Sequence, residues 1–223
     1  MASWSFFDGS SKFRITAPLD EVQQTGTPWG LVIYRTTYTP LSETHLGKIL
    51  ELIELLIKED VHRYKDRNTT PERREAAKAI LIPLYQPIVH DDKTQFNGMS
   101  LDDVRLHYRQ YIQATVPVPV GEEEEGLRRP LANETFCVVI DDDVVENLAT
   151  AEKEQMLALT ERGTFAMKKT AYWVKVMETN PQEEDDEGWM KCSIYRLWTL
   201  WVDMDGITGM STWDAMNDGP YTG

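Results

Sequence analysis

YWVKVMETNPQEEDDEGWMKCSIYRLWTLWVDM, residues 172–204, contains four of the chain's seven tryptophans: Trp173, Trp189, Trp198 and Trp201. The stretch predicts a strand, an acidic turn, a returning strand and a short terminal helix. Each aromatic ring removes roughly 150–250 Å² from water when buried. Four of them close together in sequence therefore nucleate a core.

Working back from this hairpin, Thr135–Ile140 (TFCVVI) is apolar at alternate and intervening positions alike, which predicts a central strand covered on both faces. Gly30–Tyr38 (GLVIYRTTY) is a second strand rich in β-branched and aromatic residues, with Leu31, Ile33 and Arg35 on one face and Val32, Tyr34, Thr36 and Tyr38 on the other. Pro40 ends it, and Ser42 or Thr44 is placed to cap a helix whose apolar stripe runs through Leu46, Ile49, Leu50, Ile53, Leu56, Ile57, Val61 and Tyr64. The polar run 63–78 reads as a loop with one helical turn after Pro71. Ile80–His90 is extended, and Pro83 and Pro87 confine it to an edge strand or an irregular connection. Ser100 and Asp103 stand at capping-box spacing before a stripe of Leu101, Val104, Tyr108, Tyr111 and Ile112; Asp143 and Glu146 do the same after the central strand. A further helix is expected over about 151–162.

These elements predict an α+β chain: a ferredoxin-like sandwich with a mainly antiparallel sheet and helices packed on one face. Residues 1–27 form an N-terminal arm and residues 28–205 a single domain. Within it, 116–130 is a long acidic loop containing prolines, and 206–223 is a loose C-terminal tail.

The 223 residues carry a formal net charge of −14, and nine of the 37 acids lie in the two runs Glu122–Glu125 and Glu183–Glu187. The excess is thus local, but an acidic surface without a Lys/Arg stripe disfavours nucleic acid. No stretch approaches the roughly 18 apolar residues of a membrane span, and the N-terminus lacks a secretory pattern. A cytoplasmic protein is expected. Cys137 and Cys192 both fall in predicted strands and read as buried thiols.

Arg35 lies among apolar and aromatic neighbours. A guanidinium taken out of water needs a partner, either an internal carboxylate or a ligand's carboxylate or phosphate. Tyr34 flanks it from the opposite face. Asp141, Asp142 and Asp143 end the central strand, where carboxylates cap a helix, supply an acid or base, or hold a hard cation. His90 stands beside Asp91 and Asp92, the pattern of a carboxylate-oriented base. His45, His62 and His107 read as surface residues, and no histidine pairs at metal-ligand spacing. Trp173 and Trp189 belong either to the core or to an aromatic ligand pocket. There is no Gly-rich phosphate turn and no G-x-S-x-G elbow.

Three phrases, PWGLVIYRTTY at 28–38, FCVVIDDDVVENL at 136–148 and YWVKVME…EGWMKCSIYRLW at 172–198, resemble a large group of uncharacterised proteins from filamentous fungi. The resemblance covers roughly Pro28–Met204. It implies a shared fold and a fungal, cytosolic protein, with no known activity for the group; orphan proteins of this kind sometimes act on small molecules in secondary metabolism.

Two functional expectations follow. The first is binding or cofactor-independent conversion of a small metabolite in an aromatic-lined pocket. Arg35, Tyr34, Trp173 and Trp189 would hold the ligand, and His90, Asp141 and Asp142 would act as acid or base, with no metal. The second is a non-catalytic protein-interaction module that pairs as a homodimer.

Overall fold

A computed structural model describes residues 28–63, 70–115, 135–161, 172–179 and 187–204. The expected N-terminal arm, the 116–130 loop, most of the acidic turn, the 206–223 tail and Tyr64 lie outside the described residues. In chain order the elements are β1 (Val32–Arg35), α1 (Pro40–Arg63), α2 (Pro71–Leu81), β2 (Ile88–His90), α3 (Lys93–Phe96) and α4 (Leu101–Thr115). They continue with β3 (Phe136–Ile140), α5 (Asp142–Ala149), α6 (Lys153–Glu161), β4 (Trp173–Glu178), β5 (Trp189–Ser193), a 3-10 turn (Ile194–Arg196) and α7 (Leu197–Asp203).

The strands form one sheet in the order β2-β1-β3-β4-β5. β1 runs parallel to both β2 and β3, whereas β3–β4 and β4–β5 are antiparallel. The Trp-rich stretch forms the hairpin read from its sequence, with Val174 opposite Cys192. All five residues of β3 are buried, as a strand apolar on both faces requires.

Alternation along the strands splits the interior into two layers. Leu31, Ile33, Val138, Val176 and Cys192 face α1, α2, α5, α6 and α7. Val32, Tyr34, Cys137, Val139 and Met177 face α3 and α4. The expectation of a ferredoxin-like, mainly antiparallel sheet with helices on one face is therefore corrected: the sheet is mixed and helices cover both faces. The physical reason is the parallel pairing. Each parallel connection must cross over the sheet, and the two crossovers leaving β1 and β2 travel in opposite directions along it, on opposite faces.

Local corrections have equally local causes. The end of the polar run, together with Ile80 and Leu81 that read as extended, forms the eleven-residue α2. Thr70 accepts from the Arg73 N–H and Pro71 takes the first helical position, while only Ala77, Lys78 and Leu81 are buried, so the apolar stripe was too thin to read. α1 starts at Pro40 itself, and Thr39 Oγ1, rather than Ser42 or Thr44, accepts from the Ser42 N–H at 3.3 Å. α5 is capped by Asp141, two residues before the predicted Asp143, through Val144 N–H at 3.1 Å. The Ser100–Asp103 capping box is present: the Asp103 N–H donates to Ser100 Oγ at 3.2 Å, and the Ser100 hydroxyl to Asp103 Oδ2 at 2.6 Å.

Three features hold the elements in place. Backbone bonds from Trp29 to Leu84, Gln86 to Trp29 and Ile88 to Leu31 zip the approach to β1 against the approach to β2. Gly30 sits in that zip, where a Cβ would stand 2.3 Å from the Gln86 carbonyl oxygen. Asp60, near the end of α1, accepts from the N–H and hydroxyl of Thr199 in α7 at 3.3 and 3.0 Å and lies 3.6 Å from Arg196. Around Trp29, the rings of Tyr85, Trp198 and Trp201 pack at centroid distances of 4.9, 5.2 and 5.1 Å. Trp198 and Trp201 are therefore core.

Candidate functional site

The chain leaves β1 towards β2 and leaves β3 towards β4, so the loops after these neighbouring parallel strands diverge. Crevices that take ligands form at such switch points, beyond the carboxyl ends of the strands. Most of the residues singled out from sequence fall at this end of the sheet, but they divide into two groups with different roles.

The first group is self-satisfied. Arg35 is 4% exposed, and its guanidinium donates to the Thr37 carbonyl (2.8 Å), Ser42 Oγ (2.9 and 3.1 Å) and Asp91 Oδ1 (3.1 Å). Glu43 pairs with it at 3.1 Å, and the Tyr38 ring lies 4.1 Å from its central carbon. Every nitrogen of the guanidinium thus has an internal partner, the first of the two readings of Arg35. Asp142 accepts from the Thr37 hydroxyl at 2.5 Å, which ties the loop after β1 to the start of α5. Asp141 caps α5 and, with Asp143, holds Lys175 of β4 at 2.5 and 2.7 Å. The hydrogen bond and charge of Lys175 hold the Asp143 carboxyl below the ordinary carboxylate range. Two lysines cover the tryptophans of the hairpin: Lys191 Nζ lies 4.2 Å from the Trp173 ring centre and Lys175 Nζ 5.4 Å from that of Trp189. These contacts brace the sheet.

The second group lies on the α4 side and has uncommitted chemistry. Parallel register sets His90 directly beside Tyr34. Their rings stack at 4.5 Å with 16° between planes. From α4, His107 brings a second imidazole, its ring centre 5.5 Å from that of His90 at 76°. Tyr111, one turn further along α4, packs edge-on to His90 at 4.9 Å, and Phe96 of α3 closes the cluster at 5.8 Å from His90 and 5.1 Å from His107. Tyr34 Oη meets His107 Nδ1 at 2.9 Å, and Gln95 Nε2 meets His107 Nε2 at 3.1 Å. His90 Nε2 is shut off from solvent and has no hydrogen-bond partner among the described residues.

Burial depresses the affinity of both imidazoles for a proton, and the neighbouring His107 adds to the effect at His90. Burial likewise raises the Tyr34 phenol, with smaller contributions from Cys137 and Tyr111. Near neutral pH the cluster therefore holds two uncharged imidazoles and a protonated phenol. That set accepts and donates protons without carrying charge itself.

Of the residues expected at a site, the structure brings Tyr34 and His90 together. It does not join them to Arg35, Asp141, Asp142 or Trp173. His107 and Gln95 were not singled out from sequence. For His107 a signal existed: it stands three residues after Val104 and four before Tyr111, at the spacing of the apolar stripe of its helix. For Gln95 none did. No group of three or more His, Cys, Asp or Glu among the described residues is placed to hold a metal.

The fold and cluster define a mixed-sheet α+β protein with an imidazole–aromatic centre near the carboxyl edge of its parallel strands. Compared with family models, with curated proteins and with solved structures, the chain matches none. No described helix is long and apolar enough to cross a membrane.

Proposed function

We propose that the protein binds a small organic metabolite at the Tyr34–His90–His107 cluster and transfers a proton on it without a cofactor. One observation carries this reading: His90 Nε2 is enclosed with no hydrogen-bond partner among the described residues, and its ring packs 5.5 Å from a second neutral imidazole. A buried polar atom without a partner costs about 1–3 kcal/mol, an expense that a ligand group bonded to it removes. A neutral Nε2 takes a proton from the ligand and returns it, so the chemistry is acid–base and no electrons leave the ligand. The aromatic rings around it suit a flat or apolar body.

Native mass spectrometry of freshly purified protein, set against the denatured mass, tests the reading. A retained mass of a few hundred daltons in the wild type that is lost in His90→Phe is expected. Phenylalanine keeps an aromatic ring in the stack and removes the nitrogens, adding one ring atom. Retention of the same mass by the variant would move the ligand elsewhere.

The alternative is an interaction module that pairs as a homodimer. It is favoured by β2, an edge strand whose Ile88 is 41% exposed. Sedimentation of the wild type beside Ile88→Lys separates the two readings: dissociation of a wild-type dimer by the lysine supports pairing through this edge.

A further inference from the structure

We propose that Gln95 fixes the tautomer of His107, which frees the Tyr34 hydroxyl to donate to the bound molecule and assigns the cluster a ligand bearing a carbonyl oxygen. This rests on the reading that the cluster is a ligand site. The amide nitrogen of a glutamine only donates. Gln95 Nε2 lies 3.1 Å from His107 Nε2, so that ring nitrogen accepts. A neutral imidazole has one proton, which must then sit on Nδ1. From there it is donated to Tyr34 Oη at 2.9 Å.

Tyr34 therefore serves as acceptor in its one side-chain hydrogen bond. Its own O–H has no acceptor among the described residues, although the residue is fully buried. Beside it, stacked at 4.5 Å, stands His90 with its bare Nε2. Two stacked rings thus each carry a polar group, an O–H on one and a ring nitrogen on the other, with no partner for either among the described residues, and Phe96 and Tyr111 pack around them. A hydroxyl that must donate calls for an acceptor-only group, and a carbonyl oxygen on an apolar body is the neutral group that matches. An anionic group fits poorly, because neither imidazole is charged and the Arg35 guanidinium is committed elsewhere.

Long-range proton–nitrogen correlation of the imidazoles in the full chain at pH 7.5 tests the first step without any ligand. Expected is the Nδ1–H form of His107 in the wild type and a switch to the Nε2–H form in Gln95→Glu, whose carboxylate accepts from Nε2. An Nε2–H form in the wild type, or no switch in the variant, overturns the role of Gln95. Titration with acetophenone, a small aromatic ketone, tests the second step. Binding to the wild type that weakens about tenfold in both Tyr34→Phe and Gln95→Glu is expected, the size of one lost hydrogen bond. No binding to the wild type, or equal binding by Tyr34→Phe, overturns the carbonyl assignment. The site reading itself stands or falls on the retained mass and its loss in His90→Phe.

Discussion

At the scale of single residues, the state of His90 has a consequence for stability. Its affinity for protons is lowered in the fold, chiefly by burial and then by His107. The unfolded chain therefore binds the proton more readily. Stability from this group is full above the ordinary imidazole range near pH 6.5 and is lost as pH falls through that range to the depressed folded value. The wild type is expected to lose stability between pH 7.5 and 5.5 more steeply than His90→Phe. Urea denaturation of both proteins at each pH checks it; parallel curves would mean that His90 is solvated in the folded protein. The same scale shows what was legible in the sequence. Arg35 announced itself as a buried cation, and its need for a partner was correct physical reasoning. Which partner it takes depends on Ser42, Glu43 and Asp91 converging from two further segments, one of them 56 residues away. Tyr34 and His90 were each singled out, but only the parallel register of their strands puts one ring on the other.

At the scale of elements, two contacts carry predictions. Gly30 is fixed by the close approach of the Gln86–Pro87 backbone. Alanine there drives a methyl group into a carbonyl that cannot swing away without breaking the bonds joining β1 to β2. Gly30→Ala is expected to cost about 2–4 kcal/mol, the range of severe core disruptions, read as a lower denaturation midpoint. A loss within 0.5 kcal/mol, roughly that of a surface change, would show that the strand approach can part. Asp60 behaves in the opposite sense to His90. Burial raises its carboxyl from 3.8 to about 6, against the lowering influence of Arg196, Thr199 and Arg63. A raised folded value means that the fold holds the proton more tightly than the unfolded chain. The associated stability is full below pH 3.8 and disappears as pH rises through about 6. Relative to Asp60→Asn, the wild type is expected to gain on the order of 2–3 kcal/mol between pH 7 and pH 4. Thermal denaturation of both across that range measures it, and no change in their difference would place Asp60 in water. The boundaries of elements were less legible than their existence. Where a stripe was thick, as in α1, the sequence sufficed; where few side chains are buried, as in α2, the helix passed for a loop.

At the scale of the whole molecule, the hairpin, the central strand and the edge strand were all readable, because each depends on local composition. The direction of the pairings was not. A run such as VIYR alternates identically in parallel and antiparallel sheets, so the crossover arrangement, and with it the coverage of both faces, is decided by segments far apart in the chain.

That arrangement has a bearing on how the molecule assembles. β4 and β5 join neighbours in sequence, whereas Ile33 must meet Val138 across 105 residues. Closing so long a loop costs entropy before any contact compensates it, and chains dominated by such contacts fold in milliseconds to seconds. In pulse-labelled hydrogen exchange during refolding, the amides of Trp173–Glu178 and Trp189–Ser193 are expected to gain protection before those of Val32–Arg35. Simultaneous protection would mean that the sheet closes in a single event. During synthesis, the apolar stripe of α1 leaves the ribosome long before the strands that cover it, and it is this interval that exposes the nascent chain to aggregation and to capture by chaperones.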